Sequence, residues 1–201
     1  MTRILTAVLI SIFIGYLLGC SNMAFYLSKL KGIDLRKTGS RNLGTCNTFT
    51  SFGFGWSVVV FLHDAGKAAL AMFLARLLFP EVPAAVYVAG VAAVIGHVFP
   101  FYLRFRGGKG FAAYMGIILM LNWKIGFLVL LLVAVLTLVT NYIVVGTFAT
   151  VIGYPIYTAL NSGWLVAVLI LCIASAIVIF RHRENLVRLA NGTEIGLFHK
   201  K

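Results

Sequence analysis

Three short basic segments, each at the end of an apolar run, hold most of the residues that could do chemistry. They span residues 39–47, 106–110 and 181–185. Glycines let a backbone turn several N–H groups toward one anion, and nearby Lys or Arg side chains add full positive charges. The three segments together therefore indicate a site that handles phosphate at the surface of a membrane.

The middle segment, Arg106-Gly107-Gly108-Lys109-Gly110, has the sharpest local pattern. Its glycines are expected to point N–H groups at an anion, and Lys109 would pair with the same charge. A helix starting directly after Gly110 would add the partial positive charge of its N-terminus. The competing interpretation is a flexible loop whose charges only orient the chain in the membrane.

The first and third segments are each open to two interpretations. Residues 39–48 are rich in hydroxyl, amide and glycine groups, which suits either a loop wrapped around a small polar ligand or an ordinary polar turn. In the third segment, His182 and Asn185 would share a face of a continuous helix, as would Arg181 and Asn185. A basic cap reaching toward the membrane surface is the simpler alternative.

Ionisable residues inside the apolar runs form a second group of candidates. Asp64 and Lys67 stand three residues apart and can pair on one helix, either to anchor packing or to serve a function. His63 precedes this pair. His97 lies about two helical turns before loop 104–110 and is either a satisfied core histidine or a ligand of phosphate.

The elements that must position these residues are membrane helices. Of 201 residues, 61% are hydrophobic and 11% are charged, which is too apolar for a soluble domain of this length. The pattern predicts seven spans, at residues 4–28, 56–79, 84–103, 111–122, 125–139, 143–160 and 164–180. We therefore predict an all-α integral membrane protein, a seven-transmembrane-helix bundle with one short or re-entrant-like helix, forming a single domain over residues 1–201.

Charge predicts the orientation of this bundle. Most of the 17 Lys and Arg residues lie in loops 29–55 and 104–110 and in the tail, which seven spans place on one side. Because cytoplasmic loops are enriched in Lys and Arg, that side is the cytoplasm and the N-terminus is outside. Membrane orientation accounts for the net charge of +12 without a nucleic-acid partner. We expect no metal and no cofactor, because the sequence has neither an acidic cluster nor ligand-spaced His and Cys.

Several motifs resemble those of a known family. They are Gly39-Ser40-x-Asn42-x-Gly44-x-x-Asn47, Asp64-x-x-Lys67, Gly96-His97-Val98-Phe99-Pro100, Phe105-Arg106-Gly107-Gly108-Lys109-Gly110, and Arg181-His182-Arg183-Glu184-Asn185 with Glu194. The chain resembles the bacterial acyl-phosphate:glycerol-3-phosphate acyltransferases, the PlsY-type membrane enzymes. The resemblance implies seven spans, motifs on the cytoplasmic side, and acyl transfer from acyl phosphate to the 1-hydroxyl of glycerol 3-phosphate. It also implies a partner, the soluble enzyme that supplies acyl phosphate.

The resemblance assigns roles to individual residues. It implies catalytic roles for Ser40, Asn42, His97, Lys109, His182 and Asn185. It implies substrate binding by Asn47, Asp64, Lys67, Arg106, Gly107, Gly108, Gly110, Arg181, Arg183 and Glu184. Arg41 is also expected to bind substrate, because its charge, with those of Arg181 and Arg183, can attract an anionic acceptor. Among these, Lys109 and its glycines would hold phosphate, and Glu184 would orient neighbouring arginines.

The chain also departs from the family pattern. Arg41 replaces a glycine, Leu43 a proline and Cys46 a threonine, while Thr50 and Asn141 stand where arginines are expected. These changes leave the exact acceptor open, so a divergent paralogue that acylates another acceptor is an alternative. A transporter or a binding protein for lipids or anions is the alternative outside enzymes.

Overall fold

The computed structural model describes residues 1–198, and all regular structure among them is helical. The helices are α1 (Thr2–Cys20), α2 (Met23–Lys31), α3 (Thr45–Phe52), α4 (Phe54–Leu78), α5 (Pro83–Val98), α6 (Phe111–Leu121), α7 (Trp123–Thr140), α8 (Ile143–Ser162), α9 (Leu165–Arg181) and α10 (Arg183–Ala190), with a 3-10 turn at Phe101–Leu103.

Apolar helices occupy all seven predicted spans, so the predicted class of helical membrane protein is confirmed. Five are long enough to cross a bilayer unaided: Thr2–Lys31, Phe54–Leu78, Pro83–Leu103, Trp123–Thr140 and Ile143–Ser162. Helices α9 and α10, which are bent by 51° relative to each other, make a sixth candidate span if they are taken together. The remaining predicted span is occupied by α6, which is apolar but has only 11 residues, so five or six helices within residues 1–198 are long enough to span and the count of seven is approximate.

The first span is broken, which the uninterrupted apolar run did not indicate. Helix α1 ends at Cys20, and α2 begins at Met23. Asn22 causes the restart, because its Oδ1 accepts the backbone N–H of Phe25 at 2.9 Å and so caps α2. The break leaves the backbone carbonyl of Ser21 without its partner in a continuous helix.

Two small residues, Gly15 and Gly19, bring α1 and α5 together. A Cβ added at Gly15 would overlap the carbonyl of Ala89, and one added at Gly19 would overlap that of Ala93. Backbones this close gain packing contacts that larger side chains would prevent. The close fit fixes the C-terminal end of α5, where His97 lies.

The described chain divides into two compact units. The first, Met1–Leu121, contains α1 to α6, and the second begins at Asn122. Asn122 caps α7, since its Oδ1 accepts the N–H groups of Lys124 and Ile125. The first unit carries the first two basic segments and the second unit carries the third. That the whole chain acts as a single acyltransferase domain stays a prediction.

Candidate active site

The loop before α3 is organised around the side chain of Asn47, which is 1% exposed. Its Nδ2 donates to the backbone carbonyl oxygens of Leu35 at 2.8 Å, Asn42 at 3.0 Å and Thr38 at 3.1 Å. Its Oδ1 accepts the backbone N–H of Ser40 at 3.0 Å. Both ends of the amide are used within the loop, so Asn47 has a positioning role in place of the direct binding role expected from the sequence.

Two residues of this loop, Gly39 and Arg41, have left-handed backbones, with φ of 54° and 55°. An L side chain in this conformation costs roughly 1–2 kcal/mol, whereas glycine adopts it readily. The family pattern has glycine at the position of Arg41. The chain therefore keeps the backbone shape that a glycine would give and adds an exposed guanidinium group to the loop.

Three polar side chains of this loop are left for other partners. The Ser40 hydroxyl and the Asn42 side-chain amide form no hydrogen bond with residues 1–198, and both residues are partly exposed. The Thr45 hydroxyl is buried at the start of α3 and also lacks a partner within the described chain. The sequence pattern identified Ser40 and Asn42 but not Thr45. A hydroxyl and an amide held by a rigid loop can hydrogen-bond an oxygen-rich ligand.

The middle segment, residues 106–110, forms a glycine loop in which the backbone N–H groups of Gly107 and Gly108 do not point at a free anion site as expected from the sequence. The N–H of Gly107 donates to the carbonyl of Val98 at 3.0 Å, and that of Gly108 to the carbonyl of His97 at 3.1 Å. These bonds satisfy carbonyls at the C-terminal end of α5, which helical bonds cannot reach. The expectation that both amides point at an anion is therefore wrong. Phosphate binding by this segment would depend on its other groups.

Gly108 is required because the two loops meet at this residue. A Cβ added there would overlap Nε2 of His97 and lie 2.7 Å from the carbonyl oxygen of Leu43. Leu43 belongs to the Asn47-centred loop, so the first and second basic segments are brought together within the first unit. Leu43 and Gly108, which are 65 positions apart in sequence, thereby lie in one polar region.

The start of α6 confirms the predicted helix directly after the glycine loop. Gly110 has φ of 90°, and its carbonyl accepts the N–H of Tyr114 at 2.9 Å as the helix begins. Lys109 is partly buried beside this N-terminus, while Arg106 is exposed. The partial positive charge of the helix end and the Lys109 ammonium favour an anion at the same place.

Behind the loops lies a polar cluster in which Asp64, Lys67 and His97 are buried and His63 and Ser21 are partly exposed. Lys67 Nζ lies 3.0 Å from Asp64 Oδ1, so the predicted pair is confirmed. Nζ also lies 2.8 Å from His97 Nδ1 and donates to the Ser21 carbonyl. His63 Nδ1 is 3.2 Å from Asp64 Oδ1, and its Nε2 is 2.9 Å from the Ser21 hydroxyl. The cluster joins α4, α5 and the break between α1 and α2.

Asn22 is a further member of the site that sequence reasoning missed. It is fully buried, and its Nδ2 donates to the Leu43 carbonyl at 3.5 Å. Its Oδ1 caps α2. One amide therefore ties the broken first span to the carbonyl that faces Gly108. A polar Asn inside a lipid-length apolar run was the available signal.

The third basic segment lies where α9 meets α10 in the second unit. His182 occupies the 51° bend between α9 and α10. Arg181 and Asn185 therefore lie on different helices, whereas the sequence analysis placed them on one continuous helix. His182 Nδ1 lies 2.8 Å from the Val178 carbonyl, and the His182 carbonyl accepts the Asn185 N–H at 2.9 Å. Because a carbonyl only accepts, Nδ1 carries a proton. The predicted convergence of this segment with the other two stays a prediction.

Glu194 accepts two hydrogen bonds in this part of the second unit. It accepts from Asn185 Nδ2 and from Arg188 Nε, the latter at 2.8 Å. Within residues 1–198, Glu184 forms no ion pair. Arg183 instead donates to the Phe180 carbonyl at 3.1 Å and lies over its ring. The tail folds back and presents Glu194 to Asn185 and Arg188, while the orienting role expected for Glu184 stays a prediction.

The departure at Asn141 has a structural explanation. Asn141 ends α7 in a left-handed conformation, with φ of 67°. Its Oδ1 accepts the N–H of Phe198 at 2.8 Å, and its backbone carbonyl accepts that of Leu197 at 2.9 Å. The residue that replaces the family's arginine thus holds the tail segment after Glu194.

The sequence as a whole matches proteins of one family. The family model described as glycerol-3-phosphate acyltransferase matches residues 9–192. The glycerol-3-phosphate acyltransferase of Parasynechococcus marenigrum (strain WH8102) is 38% identical over 192 residues, covering 95% of this chain and 90% of that protein. The chain is thus a multi-pass membrane protein of the acyltransferase class. It belongs to the glycerol-3-phosphate acyltransferase family.

Two solved structures of PlsY, an integral membrane glycerol 3-phosphate acyltransferase, share the fold. The glycerol 3-phosphate form has a TM-score of 0.89 and 28% identity, covering 94% of this chain and 95% of that one. The lysophosphatidic acid form has a TM-score of 0.86 and 27% identity, covering 94% of each chain. The family resemblance that the motifs indicate is confirmed.

Proposed function

We propose that this chain transfers a fatty acyl group from acyl phosphate to the 1-hydroxyl of glycerol 3-phosphate, giving lysophosphatidic acid and inorganic phosphate. Family membership supports glycerol 3-phosphate as the acceptor. The observation that carries the proposal is the meeting of two loops at Gly108 and the Leu43 carbonyl. Next to this junction, Ser40 and Asn42 have side chains without a partner among residues 1–198.

The chemistry needs positioning more than a strong protein base. Acyl phosphate is a mixed anhydride and already activated. The acceptor oxygen bonds to the acyl carbon, the bond from that carbon to the phosphate oxygen breaks, and the hydroxyl proton ends on the released phosphate. Holding the reactants in line can supply much of the rate, and fixed donors stabilise charge on the carbonyl oxygen.

Each group of residues has a proposed role in this reaction. Ser40 and Asn42 orient the acceptor or the reacting carbonyl, and Asn47 holds their loop. Lys109 and Arg106 pair with the donor phosphate beside the N-terminus of α6. The residues proposed to bind the acceptor from the second unit are Arg181, His182, Arg183 and Asn185.

The donor is tested with purified protein in lipid nanodiscs and labelled glycerol 3-phosphate. Acyl phosphate, acyl-CoA and acylated acyl carrier protein are supplied in separate reactions, and labelled lysophosphatidic acid is measured. Of the three donors, we expect only acyl phosphate to give product. Product with only one of the other two donors would overturn the proposed donor.

The acceptor is tested in the same assay, because the loop departs from the family pattern at Arg41 and Cys46. Acyl phosphate turnover with a different phosphorylated or hydroxylated acceptor, but not with glycerol 3-phosphate, would identify a divergent paralogue. Binding of acyl phosphate without turnover of any acceptor would favour the transport or binding alternative.

We further propose that the site faces the cytoplasm of a bacterial cell, with the N-terminus outside. The loop after α2 supports this orientation, because it carries Lys37 and Arg41 beyond an Asp34–Arg36 pair. The hydrogen bond from Arg36, 2.9 Å away, lowers the pKa of Asp34 to about 2, so Asp34 is ionised at neutral pH. Its single negative charge offsets the positive charge of Arg36, and the loop stays positively charged. A cytoplasmic site would also be accessible to the soluble enzyme that supplies acyl phosphate.

Labelling of Cys46 tests this orientation. Cys46 is exposed in α3 and Cys172 is exposed in α9, whereas Cys20 is buried, so both proteins in this test carry Cys172→Ser. A membrane-impermeant maleimide is expected to label Cys46 in inverted membrane vesicles and to leave it unlabelled in intact spheroplasts. A Thr2→Cys variant that also carries Cys46→Ser is the matched control and should give the reverse. Labelling of Cys46 from the outside would contradict the orientation.

A further inference from the structure

The ammonium group of Lys67 lies among three acceptors inside the first unit. Nζ donates to the Ser21 carbonyl, lies 3.0 Å from Asp64 Oδ1, and lies 2.8 Å from His97 Nδ1. Lys67 is 6% exposed, so no solvent-facing donor is left. Because an ammonium has three N–H groups and no lone pair, these three contacts use all of its hydrogen-bonding capacity. Direct substrate binding, the role expected for Lys67, does not fit this geometry.

We propose that Lys67 is a positioning residue that fixes His97 as the tautomer with its proton on Nε2. The Lys67 ammonium donates to Nδ1, so Nδ1 must carry the lone pair of a neutral ring. Nε2 then carries the hydrogen. This side of the ring faces Gly108, because a Cβ added to Gly108 would overlap Nε2.

Asp64 lies close enough to His97 to favour the opposite tautomer if Lys67 were absent. Its carboxylate is buried, lies 3.5 Å from His97 Nδ1, and has a second oxygen without a partner among residues 1–198. A carboxylate only accepts hydrogen bonds. Without the ammonium, Asp64 would draw a proton onto Nδ1 and leave a lone pair on Nε2. Lys67 therefore decides which end of the ring donates toward the glycine loop.

The consequence for catalysis rests on the proposed function. An N–H group beside Gly108 can donate to an oxygen of the substrate held between the two loops, whereas a lone pair there would repel it. No hydrogen bond from Nε2 to another described residue competes with this role. Loss of one such fixed donor lowers turnover by roughly 10²-fold to 10³-fold in enzymes that stabilise an oxyanion.

The tautomer can be measured without any substrate. In protein labelled with ¹⁵N-histidine, the ring nitrogen shifts identify which nitrogen carries the proton, and a His97→Asn variant assigns the signals. We expect wild-type protein to have the proton on Nε2 of His97. A proton on Nδ1 in the wild type would overturn the proposal whether or not the chain turns over acyl phosphate.

Two variants of the cluster reverse and restore the tautomer. Lys67→Met removes the donor and should move the proton to Nδ1, facing Asp64. Adding Asp64→Asn supplies an amide N–H that can donate to Nδ1, so the double variant should return the proton to Nε2. The double variant also lacks the unpaired buried carboxylate, which protects its folding.

Turnover should follow the tautomer. We expect kcat to fall about 10²-fold in Lys67→Met with little change in KM, and to recover at least tenfold in the double variant. Arg76→Met, which removes an exposed cation from the same helix, should leave both the tautomer and kcat unchanged. Equal activity losses in the two Lys67 variants, with an unchanged tautomer, would reduce Lys67 to a structural role.

Discussion

The Asn47→Asp variant is expected to lose at least about 10²-fold in kcat/KM, because displacement of a positioning group by about 1 Å can cost this much. The substitution barely changes the size of the side chain but replaces Nδ2 with an oxygen. That oxygen would face the carbonyls of Leu35, Thr38 and Asn42, which Nδ2 now binds. Each buried carbonyl left unsatisfied costs roughly 1–3 kcal/mol, so the loop should open locally.

Initial rates at varied acyl phosphate and glycerol 3-phosphate, together with the thermal midpoint, measure this effect. Asn161→Asp is the matched control, because among residues 1–198 the Asn161 amide donates to a single acceptor, the Tyr157 carbonyl at the exposed end of α8. We expect that control to keep its activity within about twofold, as for surface substitutions generally. Wild-type kinetics in Asn47→Asp would mean that the loop is not part of the site.

The Gly108→Ala variant is expected to lose activity on a similar scale, again at least about 10²-fold. The new methyl group would meet Nε2 of His97 and the Leu43 carbonyl. Neither can move easily, because Lys67 holds the His97 ring and the other obstacle is backbone. Overpacking of this kind costs about 1–3 kcal/mol, and relief requires the two loops to separate.

The kinetic comparison for Gly108→Ala uses Gly66→Ala as its control. Gly66 lies within α4, and a Cβ added there meets nothing within 4 Å. Alanine is the better helix former by about 1 kcal/mol, so the control should keep its activity and melt at the same or a higher temperature. If Gly108→Ala is as active as this control, the two loops do not need to touch for catalysis.

The membrane helices were predictable because their signal is local. Runs of apolar residues of lipid length identify the spans, and the Asp64–Lys67 pair follows from a spacing of three on a helix. The break at Ser21 and Asn22 was missed because the surrounding residues remain apolar enough to span. Only the capping bond to Phe25 distinguishes it, and an Asn can make such a bond or point elsewhere.

The residues of the site were predictable by type, but their partners were not. The segment patterns and the family resemblance single out Asn47, Gly107 and Gly108. Asn47 nevertheless binds its own loop, and the two glycine amides close the end of α5. Such partners depend on how segments approach each other in three dimensions. The same reason explains why Glu194, and not the adjacent Glu184, contacts Asn185.

The coupling of phosphate release to ester formation tests the central claim most directly. Purified protein in nanodiscs receives acyl phosphate and glycerol 3-phosphate, and phosphate and acylated product are quantified in the same samples over time. The account predicts equal amounts of the two, with the acyl group on the 1-hydroxyl, and formation of both at least about 10²-fold slower with Asn47→Asp. Phosphate released without acylated glycerol 3-phosphate, or ester formed without phosphate, would contradict it.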